Sequence, residues 1–164
     1  MKSVNHSPII SAGVLLGAGL GGFFDGILLH QILQWHNMFS SVRPPTDLVG
    51  MKYNMLWDGL FHAFAWLMTL VGVGALWRAG QRSDVAWSTR AFAGSMLLGW
   101  GSFNLVEGLI DHQLLGIHHV RDDLGGPLGW DLAFLAGGVA LSAAGWSLTR
   151  TRARRAGMSH APFR

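Results

Sequence analysis

Ionisable side chains interrupt the apolar stretches of this sequence at several points. The segment FFDGILLHQILQWH, residues 23–36, contains Asp25, His30 and His36 within a mostly apolar run. A charged side chain in the hydrocarbon layer of a membrane is costly, so such residues normally face one another or a functional cavity. We therefore consider the ionisable residues of the apolar stretches and their ends as candidate metal ligands. They are Asp25, His30, His36, Asp58, His62, Glu107, Asp111, His112, His118, His119 and Asp131.

These candidates are imidazoles and carboxylates, and the sequence contains no cysteine. A donor set of this kind suits zinc, iron, manganese or copper(II). Carboxylates and histidines that project inward from several helices are typical of di-metal sites in helix bundles. No H-E-x-x-H or E-x-x-H motif is present. The prediction of a transition-metal site therefore depends on the convergence of separate segments.

Two other interpretations use the same residues. Paired histidines, such as His30 with His112 or His36 with His118, could ligate a haem axially. The nearby carboxylates make this less expected, because a haem needs an apolar slot. In the second interpretation, the acidic and imidazole groups only neutralise one another in a structural network.

The composition indicates a membrane protein. Hydrophobic residues make up 50% of the 164 residues and charged residues 13%, which is about half the charged share of soluble proteins. Four apolar stretches are long enough to cross a bilayer of ~30 Å as helices. The first is also too long for a cleaved signal peptide. The stretches are approximately residues 9–35, 55–77, 91–117 and 129–148.

The arginines predict the orientation of these stretches. Arg78, Arg82 and Arg90 lie between the second and third stretches, and a basic tail, residues 150–164, follows the fourth. Basic loops remain on the cytoplasmic side of the membrane. We therefore expect a multi-pass protein of the bacterial inner membrane with both termini in the cytoplasm. The positive charge is explained by orientation, and we expect no nucleic-acid partner. The sequence is compatible with a membrane protein partner or with a homo-oligomer.

The sequence contains an internal repeat. LGAGLGGFFDGILLHQILQWH, residues 16–36, aligns without a gap with LGWGSFNLVEGLIDHQLLGIH, residues 98–118. The aligned ionisable pairs are Asp25 with Glu107, His30 with His112, His36 with His118, and, in the stretches that follow, Asp58 with Asp131. We predict an all-α, single-domain, four-helix membrane bundle. It would consist of two tandem helical hairpins, about 9–78 and 90–149, related by a pseudo-two-fold axis along the membrane normal.

Depths along the predicted helices place all these residues in the outer half of the membrane, at a rise of about 1.5 Å per residue. An upper layer comprises His30, Asp58, Asp111, His112 and Asp131, and a lower layer comprises Asp25, His62 and Glu107. The predicted outer rim comprises His36, His118 and His119. Because His62, Asp111 and His119 have no ionisable counterpart in the repeat, we expect the site to be biased toward the second and third stretches.

The helical wheel separates two of the histidines from the acidic residues. At about 100° per residue, His30 and His112 point about 140° away from Asp25 and Glu107. An α-helix does not readily bring both groups to one centre. We therefore predict that these two histidines form a second site or orient the carboxylates from behind.

The motifs GGFFDGILLHQILQWH, YNMLWDGLFHAF, NLVEGLIDHQLLGIHH and GWDLAF resemble a family of small bacterial membrane proteins. The family is catalogued as a domain of unknown function, number two-two-four-three, and implies no activity. We expect either a membrane metalloenzyme or a protein that handles a metal. A metal-delivery factor for a respiratory oxidase, similar in size to known assembly proteins, is an alternative.

Overall fold

A computed structural model describes residues 5–158, with side chains up to residue 150. This part of the chain is helical and contains no strand apart from an isolated bridge between Asn5 and Val85. The last six residues of the predicted basic tail, 159–164, lie outside the described residues. The long helices are α1 (Ser7–Phe24), α2 (Leu48–Gly80), α3 (Thr89–Glu107) and α4 (Leu128–Met158).

Helices α1 and α3 occupy the centre of the molecule. Helix α1 packs against α2 and α3, and α3 packs against α4. The central contact depends on glycine, because a Cβ atom on Gly17 would overlap the backbone carbonyl of Met96 and one on Gly99 would overlap that of Val14. Small residues at these two positions let the backbones of α1 and α3 approach closely, as in other membrane helix pairs.

Three helical stretches in the described part of the chain are long and apolar enough to cross a membrane. They are Ser7–Ile32, Leu48–Gly80 and Leu128–Arg150, with mean hydropathies of 1.7, 1.7 and 1.5. The predicted third span, residues 91–117, is not among them. Its helix α3 is less apolar because it contains small and polar residues, such as Gly94, Ser95 and Glu107, which are buried between the neighbouring helices. Helices α2 and α4 instead direct mostly exposed apolar side chains outward.

Each central helix changes from α to π geometry near one end. Helix α1 continues as a π-helix over Asp25–Ile32, and α3 continues as a π-helix over Gly108–Leu114. The chain then leaves the helix axis through residues with positive φ, Gln34 at 52° and Gly116 at 57°. The continuous helices predicted to reach Trp35 and Ile117 therefore end earlier, and the following residues turn back toward the bundle.

Candidate metal centre

The π-helices bring each acidic residue next to the histidine five positions later. His30 Nε2 lies 3.1 Å from Asp25 Oδ2, and His112 Nε2 lies 3.0 Å from Glu107 Oε1. A π-helix pairs residues i and i+5 on one face, whereas an α-helix separates them. The prediction that His30 and His112 point away from the acidic residues is therefore wrong, because it assumed α-helical geometry.

His36 and His118 also belong to the centre of the cluster. Their side chains are buried, with exposures of 2% and 0%, and their rings stack in parallel at a centroid distance of 4.7 Å. His118 Nε2 lies 3.0 Å from Glu107 Oε1. The prediction that these histidines form an outer rim is wrong, because the chain reverses after each π-helix and returns them to the level of the acidic residues.

Each of these two histidines is held by the opposite half of the chain. His36 Nδ1 donates to the carbonyl of Val120 at 3.0 Å, and His118 Nδ1 donates to the carbonyl of Met38 at 3.1 Å. A carbonyl only accepts hydrogen bonds, so Nδ1 carries a hydrogen and Nε2 is the nitrogen that could bind a metal.

A carboxylate lies behind each of the other two histidines. Asp58 Oδ1 accepts from His30 Nδ1 at 3.0 Å and from the Met38 backbone amide at 2.8 Å. In the second repeat, Asp131 Oδ1 lies 3.5 Å from His112 Nδ1 and accepts from the Val120 amide at 2.9 Å. Carboxylates in this position fix the orientation of a ligating imidazole and raise its basicity.

The second oxygen of each of these carboxylates, Oδ2, also accepts hydrogen bonds from equivalent positions in the two repeats. Asp58 Oδ2 accepts from Asn37 and Gln31, at 2.8 and 3.3 Å. Asp131 Oδ2 accepts from His119 Nδ1 at 2.6 Å and from Gln113 at 3.3 Å. No role was predicted for Gln31 and Gln113, although their alignment in the repeat was a usable signal.

Buried polar atoms without a hydrogen bond concentrate in this cluster. In the described part of the chain they are Asp25 Oδ1 and Oδ2, His30 Nε2, His36 Nε2, Glu107 Oε2, His112 Nδ1 and Nε2, and, away from the cluster, Ser142 Oγ. An unsatisfied buried polar atom is costly and rare. Six side chains, Asp25, His30, His36, Glu107, His112 and His118, thus form a cluster that could hold metal ions, in which Asp25 Oδ1, His36 Nε2 and Glu107 Oε2 have no partner and the other ligand atoms face one another at 3.0–3.1 Å.

Two overlapping groups of ligand atoms have distances suited to a metal. His30, His36 and His118 form one group, and Glu107, His112 and His118 form the other. Within each group, one ligand atom per residue lies within 4.8 Å of the others. The clustered atoms therefore offer more ligands than a single tetrahedral ion takes up.

The remaining sequence candidates lie around this cluster. His62 Nδ1 donates to the carbonyl of Asp58 in its own helix at 2.6 Å. Asp111 is half-buried and lines an apolar groove that also reaches Glu107. His119 contacts Asp131 rather than the cluster. His62, Asp111 and His119, which have no ionisable counterpart in the repeat, thus lie beside the six clustered side chains.

A polar pocket of about 470 Å³ opens next to His36. Its lining includes His119, Asp122 and Asp123. Asp122 is held in place by the hydroxyl of Ser40, which donates to it at 2.6 Å. The pocket gives the His36 side of the cluster an acidic approach from the surface.

The fold and the cluster define a class: an all-helical membrane protein with buried imidazoles and carboxylates at one end of its central helices. Comparison with known families agrees with the membrane character. The family described as Predicted membrane protein (DUF2243) matches residues 12–152, and the chain belongs to this family. No curated protein and no solved structure matches the chain.

Proposed function

We propose that this protein is an integral membrane metalloprotein with a dinuclear transition-metal centre. The observation that supports it most strongly is the convergence of six buried imidazole and carboxylate side chains, among which Asp25 Oδ1, His36 Nε2 and Glu107 Oε2 have no partner. A network that served only to neutralise charge would not leave these three buried atoms without a partner.

The proposed arrangement in the membrane follows from helix length and charge. All four helices would cross the bacterial inner membrane as two tandem hairpins, with α3 shielded among the others. Arg78, Arg82 and Arg90 favour a cytoplasmic position for the α2–α3 connection. The cluster then lies in the outer half, and both termini are cytoplasmic.

Each repeat supplies two imidazoles and one carboxylate. The sets are Asp25, His30 and His36 in the first repeat and Glu107, His112 and His118 in the second. The second set is also one of the two groups with distances suited to a metal, whereas the other group is His30, His36 and His118. Two histidines and one carboxylate, as in the second set, are the donor set of non-haem Fe(II) sites, which keep open positions. We therefore favour iron over zinc, manganese or copper.

Charge balance supports two divalent ions. The carboxylates in and behind the cluster are those of Asp25, Asp58, Glu107 and Asp131, all of which are buried. The surrounding segments 14–37, 53–77 and 91–120 contain no lysine or arginine. Two divalent cations would match the charge of four ionised carboxylates, and uncompensated charge at this depth is costly.

A bound haem is less compatible with the geometry. The rings of His36 and His118 stack directly on each other at 4.7 Å. The rings of His30 and His36 lie edge to face at 4.3 Å. This packing leaves no slot for a macrocycle between the imidazoles.

We favour a metalloenzyme over a metal-delivery factor. The ligands are almost fully buried, the most exposed being Glu107 at 6%, and backbone carbonyls or carboxylates fix their imidazoles. Such a site retains its ions, and a metal with an open position supplies Lewis-acid or oxygen chemistry. Delivery to a respiratory oxidase or another membrane partner is the second candidate, favoured by the acidic pocket beside His36.

Metal analysis of the detergent-purified protein tests the proposal. We expect about two transition-metal ions per chain, absence of a Soret band, and slow loss to a chelator. His118→Ala should reduce the content by at least one ion, whereas His62→Ala, a matched change of a histidine outside the cluster, should retain both. Circular dichroism and gel filtration check that the variants are folded. A folded wild-type protein that takes up no metal after reconstitution would refute the proposal, and rapid loss to a chelator would favour delivery.

A further inference from the structure

A second cavity leads to the cluster from within the membrane. It is an apolar groove of about 540 Å³ between α1, α2 and α3. Its α2 wall runs from Trp57 to Met68, a length of about 16 Å at the helical rise. This is about half of the ~30 Å hydrocarbon core. The groove therefore has the length of a fatty chain within one leaflet.

The groove is open because small residues replace the larger ones of the aligned positions in the other repeat. Three groove positions hold smaller residues than the aligned positions of the other repeat: Ala18 against Trp100, Ser102 against Leu20, and Val106 against Phe24. On the opposite face the larger residues pack together, with the rings of Phe24 and Trp100 at 5.1 Å. The cavity on that face, about 440 Å³, has no ionisable residue in its lining.

The outer end of the groove is acidic. Glu107 and Asp111 line it, and Asp111 replaces the leucine, Leu29, of the other repeat. The Asp111 carboxylate accepts no hydrogen bond from the described residues, and Glu107 Oε2 is likewise unpaired. Two carboxylates repel an anionic head group and accept hydrogen bonds from a neutral one.

The geometry points to a binding site for a single-chain membrane amphiphile with a neutral, hydrogen-bond-donating head group, an alcohol or a phenol. The chain occupies the groove lined by Ala18, Leu60 and Val106, and the head group meets Glu107 and Asp111. Because Glu107 belongs to the cluster, the head group would adjoin the metal centre. The last step rests on the proposed function; the binding itself does not.

Photolabelling measures the binding directly. The probe is hexadecanol with a diazirine in its chain, in phosphatidylcholine nanodiscs that contain the full chain, and labelled peptides are located by mass spectrometry. We expect labelling between Leu60 and Phe64 and between Ser102 and Val106. Excess hexadecanol should compete with the probe, whereas hexadecyl phosphate should compete at least 10-fold less effectively.

Variants that exchange aligned residues of the two repeats provide the controls. Ala18→Trp should reduce labelling at least 10-fold with unchanged metal content, whereas Trp100→Ala should retain it. Asp111→Leu should reduce labelling by hexadecanol several-fold but leave labelling by diazirine-bearing hexadecane unchanged.

Wild-type labelling in folded Ala18→Trp would overturn the groove assignment. Equal labelling by hexadecane and hexadecanol in the wild type would overturn the head-group assignment. Groove labelling in a protein that takes up no metal would support this inference while refuting the metalloprotein proposal.

Discussion

Replacing Asp58 with asparagine tests whether the carboxylates behind the histidines tune the metal centre. Asp58 Oδ1 accepts from His30 Nδ1 and the Met38 amide, at 3.0 and 2.8 Å, and Oδ2 accepts from Asn37 and Gln31. Asparagine has nearly the same shape but presents one acceptor and one donor. It can keep its oxygen toward His30 and Met38, because the amides of Asn37 and Gln31 can rotate to accept from its NH₂ group.

The expected magnitude follows from this arrangement. Hydrogen bonds to a charged group contribute about 1.5–3 kcal/mol, and neutral ones about 0.5–1.5 kcal/mol. Two retained bonds, each weakened by about 1 kcal/mol, give a destabilisation of about 2 kcal/mol. Loss of the carboxylate behind a ligating histidine typically weakens metal affinity 10–100-fold, which corresponds to about 1.4–2.8 kcal/mol.

A chelator titration of the metal-loaded protein measures this effect. Asp58→Asn should release one of the two ions at a 10–100-fold lower chelator concentration than the wild type. Asp131→Asn, the aligned change, should weaken one ion in the same way but by less, because His112 Nδ1 is 3.5 Å from Asp131. Wild-type metal retention in both folded variants would refute the role that we assign to these carboxylates.

Three further predictions concern the scaffold. Gly17→Val should destabilise the protein by at least about 2 kcal/mol in thermal unfolding, because the valine side chain would meet the α3 backbone. The control, Gly59→Ala, places its methyl group in open space and should not destabilise the protein. Gly116→Ala should cost about 1 kcal/mol from its φ of 57° alone, and a melting temperature equal to the wild type would contradict this. The Gly50 amide lowers the pKa of Asp47, the N-cap of α2. The part of the unfolding free energy that this cap supplies should therefore be present above about pH 4 and lost as the pH falls further. Asp47→Asn should remove that part of the pH dependence of the melting temperature.

The repeat and the residue types were readable from the sequence. The matched positions of Asp25 and Glu107, and of the histidines after them, depend only on alignment, and these residues lie in the cluster. The sequence also indicated helices of roughly the observed extent, because long apolar runs have few alternatives in a membrane. Helix α3 was the exception, because its hydropathy is too low for it to count among the membrane-spanning stretches. Its buried small and polar residues resemble those of a helix in a soluble protein.

The geometry of the cluster was not readable from the same pattern. Helical-wheel analysis assumes one angle per residue, and the π-helices at Asp25–Ile32 and Gly108–Leu114 violate that assumption where the ligands lie. The five-residue spacing of Asp25 to His30 and of Glu107 to His112 has a π-helical meaning only once the backbone is known. The reversal at Gln34 and Gly116 was equally hidden, because a positive φ at glutamine has no sequence signal.

The crossed anchoring of the two histidines makes the halves of the site dependent on each other. His36 is oriented by the carbonyl of Val120 and His118 by that of Met38, and the amides of the same two residues donate to Asp131 and Asp58. Through their amide and carbonyl groups, Met38 and Val120 therefore each connect a proposed ligand of one repeat to a carboxylate of the other repeat. A single hairpin has its acidic residue and first histidine in place but lacks the carbonyl that orients its second histidine. The proposed ligand sets therefore require both repeats to be folded together.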